Sequence, residues 1–416
     1  MKNIYLCFIV LILLCSCNIN NDNVDNANID NGNLISNIKI SSSDIQQISI
    51  GGAHILILTK DNDLYGYGGN DFGAFKTDPY PGDLPSDLLI GPVKIDFTGK
   101  IKQISAGSAN FILDENGDVW TWGVTKYGAL TFGSNEHSYL FKKIDFPEKI
   151  KTICDSAGGF FISESGNLYT YGWNLYGEFG NGTHNNMIYE PRKIDLPLKV
   201  IDVSYQHRGV LALLENGDVY TWASHFYFDK NVIKNSEHIS SFDEVCPMFD
   251  YMLRPFKIPF EQKVISISAG RFAHYAVLED GTLYSWGDTV QNINEYGLLG
   301  VPLEECVKTS VPIKVQISEP IKKVIAGDTT TFALSESGNT YAFGINNNLS
   351  YPEYTNLLLL DSPDDIIFVP QKITCFDDTI VDIIPDGNIV FFENGDIKCC
   401  NDYYSPIFDA SITNAS

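Results

Sequence analysis

The chain has 416 residues, with 28 Lys and Arg against 52 Asp and Glu, for a formal net charge of −24. No basic run exceeds the pairs Lys142-Lys143 and Lys322-Lys323. A phosphate-binding surface needs clustered cations to displace counterions, so nucleic acid is excluded as a partner.

In chain order, Lys2 is followed by an apolar run over residues 4–15 and then by "LCSC" over 14–17. The run is too short to cross a membrane comfortably and has the proportions of a signal peptide. "LCSC" resembles the bacterial lipoprotein cleavage box, with Leu14 at minus three, Ser16 at minus one and Cys17 as the residue that would receive diacylglycerol. The plainer alternative is an ordinary secretory signal. Residues 1–16 are therefore expected to be removed. Residues 17–36 then form a lipidated cysteine and tether, because "NINNDNVDNANIDNGN" has a composition that cannot bury a core. A flexible coil of about 16 residues spans roughly 20 to 25 Å.

From residue 37 to 416 the sequence repeats. Equivalent turn positions fall at Asn62, Gly117, Gly166, Gly217, Gly281, Gly338 and Gly395, spaced by roughly 50 to 60 residues, which marks a repeat architecture. Asn-Gly, Asp-Gly and Ser-Gly between apolar runs favour hairpins, since the turn needs positive φ. Three residues after each turn position stands Tyr65, Trp120, Tyr169, Tyr220, Tyr284, Tyr341 or Lys398. Five after stands Tyr67, Trp122, Tyr171, Trp222, Trp286, Phe343 or Cys400. Strand alternation puts these rings on one face and small or aliphatic residues such as Thr121 and Val119 on the other. Sheets bulky on one side and small on the other nest around a ring, which predicts an all-β, seven-bladed β-propeller. The strand-like "NIKI" over 37–40 is left over at the start and is expected to complete the last blade, over 380–408, locking the ends together.

The phrases "ISIGGAHILILTKDNDLYGYG", "ISAGRFAHYAVLEDGTLYSWG" and "VIAGDTTTFALSESGNTYAFG", with "NLYGEFGNG" at 174–182 and "EYGLLG" at 295–300, resemble the regulator of chromosome condensation repeat. The resemblance covers roughly residues 38–408 and implies the same propeller. The family's histidine remains only as His54, where other copies carry Asn110, Gly159, Gly209, Ala273 or Thr330. Nuclear members of the family bind chromatin and promote nucleotide exchange on a small GTPase. No exchange residues match here position by position, so that activity is not carried over.

No catalytic or metal motif stands out. HExxH, GxSxG and P-loop spacings are missing, and no cofactor is implied. His54 could be a base, but its place in the repeat makes it a packing or hairpin-bonding residue. The turn acids Asp61, Asp63, Asp118, Asp218, Asp280 and Asp396 follow no calcium-loop order and read as turn formers. Cys154, Cys246, Cys306, Cys375, Cys399 and Cys400 would remain after processing. Their even number permits disulfides in an exported protein, but their spacing forms no framework.

Three connections, over 224–262, 288–312 and 345–371, are stretched and fall on one rim by the repeat register. They carry Tyr227, Phe249, Tyr251, Arg254, Tyr296, Tyr351 and Tyr354 among acidic neighbours. That make-up is common in interface hot spots, although such loops can also pack on one another and cap the ring. The expectation is a propeller lipid-anchored to a bacterial envelope membrane, with its loop-bearing rim taking a basic protein partner. The alternatives are an envelope enzyme acting on polysaccharide through the central channel, or an inhibitor of the kind found among related bacterial propellers that cover β-lactamases.

Overall fold

The computed structural model describes residues 40–51, 54–69, 89–107, 109–123, 138–155, 159–174, 176–184, 186–206, 209–223, 253–287, 293–347, 358–360, 362–385 and 389–400, with the backbone of 28–30 and 33–35. Seven antiparallel sheets follow one another along the chain as the blades of a propeller. The second blade shows the plan, with strands Ile101–Ser105, Asn110–Asp114, Val119–Gly123 and Ser138–Ile144 lying side by side in sequence order. Successive blades meet along their first and second strands, so the first strands line the central channel and the fourth strands lie outermost.

Both faces of each blade are buried, as the residue pattern requires. His54–Thr59, Gly209–Leu214, Ala273–Leu278 and Thr330–Ser335, all second strands, are buried at every position. The five-after aromatics fill the space toward the preceding blade. Trp122 packs with Leu56 and Leu58, Trp222 with Phe160 and Ile162, and Trp286 with Leu211 and Leu213, each Trp at 0% exposure. Burying a large apolar side chain contributes roughly 1.5 to 3 kcal/mol, so this recurrent wedge dominates cohesion between blades.

Polar side chains complete the inner ring. Gln47 of the first blade meets Ile104 of the second as a peptide group would, giving its amide to the carbonyl and taking the N–H, both at 2.9 Å. Gln103 repeats this with Ile153 at 2.6 and 2.9 Å. Ser49, Ser204 and Ser268 accept the N–H of Ala106, Ala269 and Ala326 in the next blade. These bonds cover strand edges that would otherwise present unpaired backbone groups to the channel.

The hairpins interlock with the links between blades. The Ile150 N–H bonds the Gly117 carbonyl, Val200 that of Gly166, Val264 that of Gly217 and Ile321 that of Gly281. In the first blade the turn position is Asn62, at φ 70°, and its side chain takes the Ile101 N–H at 2.7 Å and donates to the Gly99 carbonyl.

At the ring's closure Ile40 is buried in one cluster with Ile389, Ile397 and Cys399 of the last blade and Ile45, Ile48 and Ile55 of the first. That is where a closing strand would place it; residues 37–39 of the expected strand lie outside the described residues. One difference concerns the segment read as a tether. Asn28–Asp30 and Asn33–Ile35 form a short hairpin that extends the first sheet, Leu34 pairing in parallel with Ile90 beyond the outer strand Leu89–Ile95. An Asn- and Asp-rich composition lacks a core of its own, yet the open edge of an existing sheet supplies partners for its backbone. Cys17 lies outside the described residues.

Candidate interaction face

Strand direction decides which connections share an end of the ring. Turns between first and second strands, such as 270–272 and 327–329, emerge at the same end as the connections from third to outer strands. Hairpin turns and inter-blade links occupy the opposite end. The three long connections therefore do share a face. The first and third are shorter than the sequence delimits, because Phe256–Ile258 and Ile366–Lys372 are outer strands of their blades, whereas the second ends where its outer strand Ile313–Lys314 begins. Tyr227, Phe249, Tyr251, Tyr351 and Tyr354 lie outside the described residues.

Much of the apolar content in the described parts of these connections turns inward: Leu253, Leu298, Leu299, Leu358, Leu359 and Leu360 are all buried. A buried asparagine pins the loop that follows the third strand in the third, fifth and sixth blades. Asn174 Oδ1 accepts the Phe179 N–H at 3.0 Å, Asn294 that of Leu299 at 3.2 Å and Asn346 that of Leu358 at 3.4 Å. Their amides donate to loop carbonyls, Asn174 to Thr183 and Asn294 to Val301, each at 2.9 Å.

Arg254 sits where the long connection of the fourth blade docks onto the preceding blade. Leu253 accepts the Gly182 N–H at 2.9 Å, and Tyr176 packs on its side chain. A Cβ at Gly182 would come within 2.8 Å of Arg254 Nη2, and one at Gly180 within 3.1 Å of Pro255. Glu178 lies beneath this junction at 3% exposure. Its carboxylate accepts the Tyr176 N–H at 2.8 Å and the Tyr205 hydroxyl at 3.4 Å, and its backbone carbonyl takes Trp222 Nε1–H at 2.7 Å. Burial pushes its carboxyl up to about 7, against the opposing pull of its hydrogen bonds.

The centre of this face carries a group that sequence reasoning missed. Gln206 of the fourth blade donates to Asp328 of the sixth at 3.0 Å, and Arg271 of the fifth pairs with the same carboxylate at 3.1 Å. Three blades are thereby tied at the channel mouth. The Arg271 guanidinium also lies 5.1 Å over the Phe272 ring, and Phe272 stacks on Tyr296 with centroids 6.2 Å apart and planes 22° apart. Tyr296, the second described residue of the predicted rim, is 38% exposed. The missed residues occupy "SYQHRG", "SAGRFA" and "IAGDTT" between the first strand and the His54-equivalent position. Charged or aromatic residues there, in a turn that elsewhere holds Gly and Ala, were the available signal.

His54 is a packing residue. At 4% exposure its Nε2 is 2.7 Å from Asn110 Oδ1, linking two blades, and burial lowers its pKa although this bond opposes the shift. Of the turn acids, Asp280 Oδ1 accepts the Thr282 N–H, whereas the carboxylates of Asp63, Asp118 and Asp218 pair with Lys94, with Lys143 and Lys149, and with Lys257; the turn of the second blade is bonded instead by Asp114, whose Oδ1 accepts the N–H groups of Asn116 and Asp118. Among the described residues no three His, Cys, Asp or Glu side chains gather as a metal site, and no helix is long and apolar enough to cross a membrane.

Comparison with known proteins agrees with this architecture. Family models of the regulator of chromosome condensation (RCC1) repeat match residues 45–74, 264–293 and 280–334. The human regulator of chromosome condensation is 25% identical over 155 residues, 37% of this chain and 33% of that protein. The chain thus matches about a third of the length of the curated relatives it meets first. Among solved structures, human WBSCR16 superposes with a TM-score of 0.63 at 18% identity, over 81% of this chain and 84% of that one. Prp20p from Saccharomyces cerevisiae gives a TM-score of 0.60 at 21% identity, over 81% and 79%. The repeat register and the seven sheets show a seven-bladed β-propeller, and these matches support an RCC1-repeat propeller, a kind that typically serves protein interaction.

Proposed function

We propose that this propeller is a protein-interaction module, anchored to an envelope membrane through a diacylated Cys17 after loss of residues 1–16, and that it takes its partner on the loop-bearing face. The observation that carries the face assignment is the half-exposed Phe272–Tyr296 stack beside the Arg271–Asp328 pair, set among the pinned connections of the fifth and sixth blades. Aromatic side chains next to an arginine, held rigidly, bind with little loss of conformational freedom. The yeast relative's structure is described with that protein's binding properties to Gsp1p and histones; protein partners are the reading carried to this chain, and those particular partners are not. The net charge of −24 favours a basic partner, whose encounter rate falls as salt screens the attraction.

The test is capture of a partner from detergent-solubilised membranes by the full-length protein, alongside intact mass and detergent partitioning of the parent and Cys17→Ser. The proposal expects a diacylated N-terminal Cys17, loss of membrane partitioning in the variant, and a protein partner whose association slows with salt. A mature protein beginning elsewhere contradicts the anchor. Turnover of a polysaccharide, lost on changing channel carboxylates, would replace the binding role with the enzymatic one.

A further inference from the structure

The last blade departs from the aromatic rule that holds the others. In blades two to six the third-strand residues facing the preceding blade are Trp120 and Trp122, Tyr169 and Tyr171, Tyr220 and Trp222, Tyr284 and Trp286, and Tyr341 and Phe343; in the seventh they are Lys398 and Cys400. The link entering a blade usually covers these rings. Phe97 meets Trp120 edge-on at 5.8 Å, Phe146 meets Tyr169 at 5.9 Å, and Phe260 meets Tyr284 and Trp286 at 5.8 and 5.9 Å.

The link into the seventh blade is one residue longer, running from Ile373 to Ile380 where another runs from Ile144 to Ile150. Phe376 takes the covering position: Lys398 Nζ lies 5.4 Å from its ring centroid and 5.3 Å from that of Phe392. The residue beside Phe376 is Cys375, whose thiol donates to the Leu359 carbonyl at 3.4 Å. Leu359 belongs to the buried leucine segment of the sixth blade, so Cys375 lies at the boundary between the sixth and seventh blades.

Strand Ile397–Cys399 puts Lys398 on one face and Cys399 on the opposite one, where Cys399 is buried with Ile40 and Ile45, and continuing the alternation one residue past the strand puts Cys400 on the Lys398 face. Cys375 and Cys400 therefore converge on one face beside one lysine, where other blades hold a Trp, Tyr or Phe. Both keep exposed surface. Cys400 is nonetheless crowded by protein atoms: burial first, then the neighbouring Cys399 and Cys375 thiols, push it up to about 12, while Lys398 works against the shift. Lys398 acts in the same sense on Cys375, whose thiol burial raises.

We propose that Cys375 and Cys400 are a disulfide-forming pair that joins the link entering the last blade to that blade's third strand, replacing by a covalent bond the aromatic contact this blade lacks. The site is independent of the proposed function. With oxidised glutathione as the oxidant, one cysteine thiolate attacks its disulfide, releasing one glutathione thiol and leaving a mixed disulfide. The second cysteine thiolate then displaces the other glutathione. Two protons and two electrons pass from the protein to the reagent, which becomes two thiols. Raised thiol pKa values make the first attack slow at neutral pH and faster in mild alkali. The bond would close a loop containing the first two strands of the blade and so restrict the unfolded chain.

The experiment uses the full chain, incubated with oxidised glutathione in mild alkali and then digested without reduction. The expected result is loss of two hydrogens from the intact mass and a cross-linked peptide containing Cys375 and Cys400. Cys399→Ser should retain the cross-link and Cys375→Ser should lose it. The thermal midpoint should rise on oxidation of the parent and of Cys399→Ser, and should not rise for Cys375→Ser. Glutathione adducts remaining on both cysteines of the parent, a cross-link from Cys375 to any other cysteine, or an unchanged mass would each overturn the pairing.

Discussion

Glu178 shows how much a single side chain in this fold can reveal about its setting. Its carboxyl lies at about 7 in the folded protein against 4.5 as a free group, and burial is the main cause. Below about pH 4.5 the group is neutral whether the chain is folded or not, so it costs nothing. As pH rises through 7 the folded protein must carry a buried charge, and stability falls across that window. Glu178→Gln keeps a polar group for Tyr205 and removes the charge. It should therefore match the parent near pH 4 and exceed it at pH 8 by on the order of 1–3 kcal/mol in denaturant unfolding. A variant less stable than the parent at pH 8 would mean that the carboxylate is needed where it sits. The sequence shows the "NLYGEFGNG" phrase but not this burial, because the cover comes from Leu253 and Pro255 of the next blade's connection. Arg271 and Asp328 were hidden for a similar reason: a tie among three blades leaves no local pattern.

At the scale of the element, the hairpin and its link form the repeating joint. Gly217, at φ +87°, would place a Cβ 2.6 Å from that of Lys263 and 2.9 Å from its Cα, whereas a Cβ at Gly395, at φ +90°, meets nothing within 4 Å. Gly395→Ala should cost only the left-handed strain of about 1–2 kcal/mol. Gly217→Ala should cost distinctly more, measured as the shift in denaturant midpoint; equal costs would show that the link yields freely. A second joint uses a carboxylate. Glu148 accepts hydrogen bonds from Ser165, Tyr169 and Asn167, which hold it at about 2, below its free value of 4.5, and Glu319 repeats the arrangement with Ser337, Tyr341 and Asn339. Stability from a lowered carboxyl is present above about 4.5 and is lost as pH falls toward 2. Both groups are partly exposed and screened by solvent, so the effect is modest, but Glu148→Gln should flatten the acid limb of a stability–pH curve; an unchanged limb would remove the joint from the account. The hairpins were legible because a turn needing positive φ restricts its residues. The loops were legible in length but not in packing: "LLLL" and "GLLG" look equally apolar whether they face a partner or, as Leu358 and Leu299 do, the core.

For the whole molecule, closure of the ring is the structural question that matters most. Ile40 is 4% exposed between the first and last blades, so Ile40→Ala should cost about 2–4 kcal/mol with unfolding still cooperative, where a free N-terminal end would cost nothing. The seven-fold plan could be read from the sequence because the same phrase recurs in register. The departures, Asn62 for glycine and the aromatic-poor seventh blade, were visible as residues, but their consequences depend on neighbours far along the chain. The partner-binding face unites these scales, since pinned loops and a three-blade tie produce one rigid surface at one end of the channel. The most direct measurement is the affinity of the captured partner for Tyr296→Ala and Arg271→Ala on that face, compared with Ile265→Ser and Lys322→Ala at the opposite end of the first strands. The account predicts a loss of roughly tenfold or more for the first two, with folded protein and near-parental affinity for the other two. Parental affinity in both loop-face variants, or a loss confined to Ile265→Ser and Lys322→Ala, would contradict it.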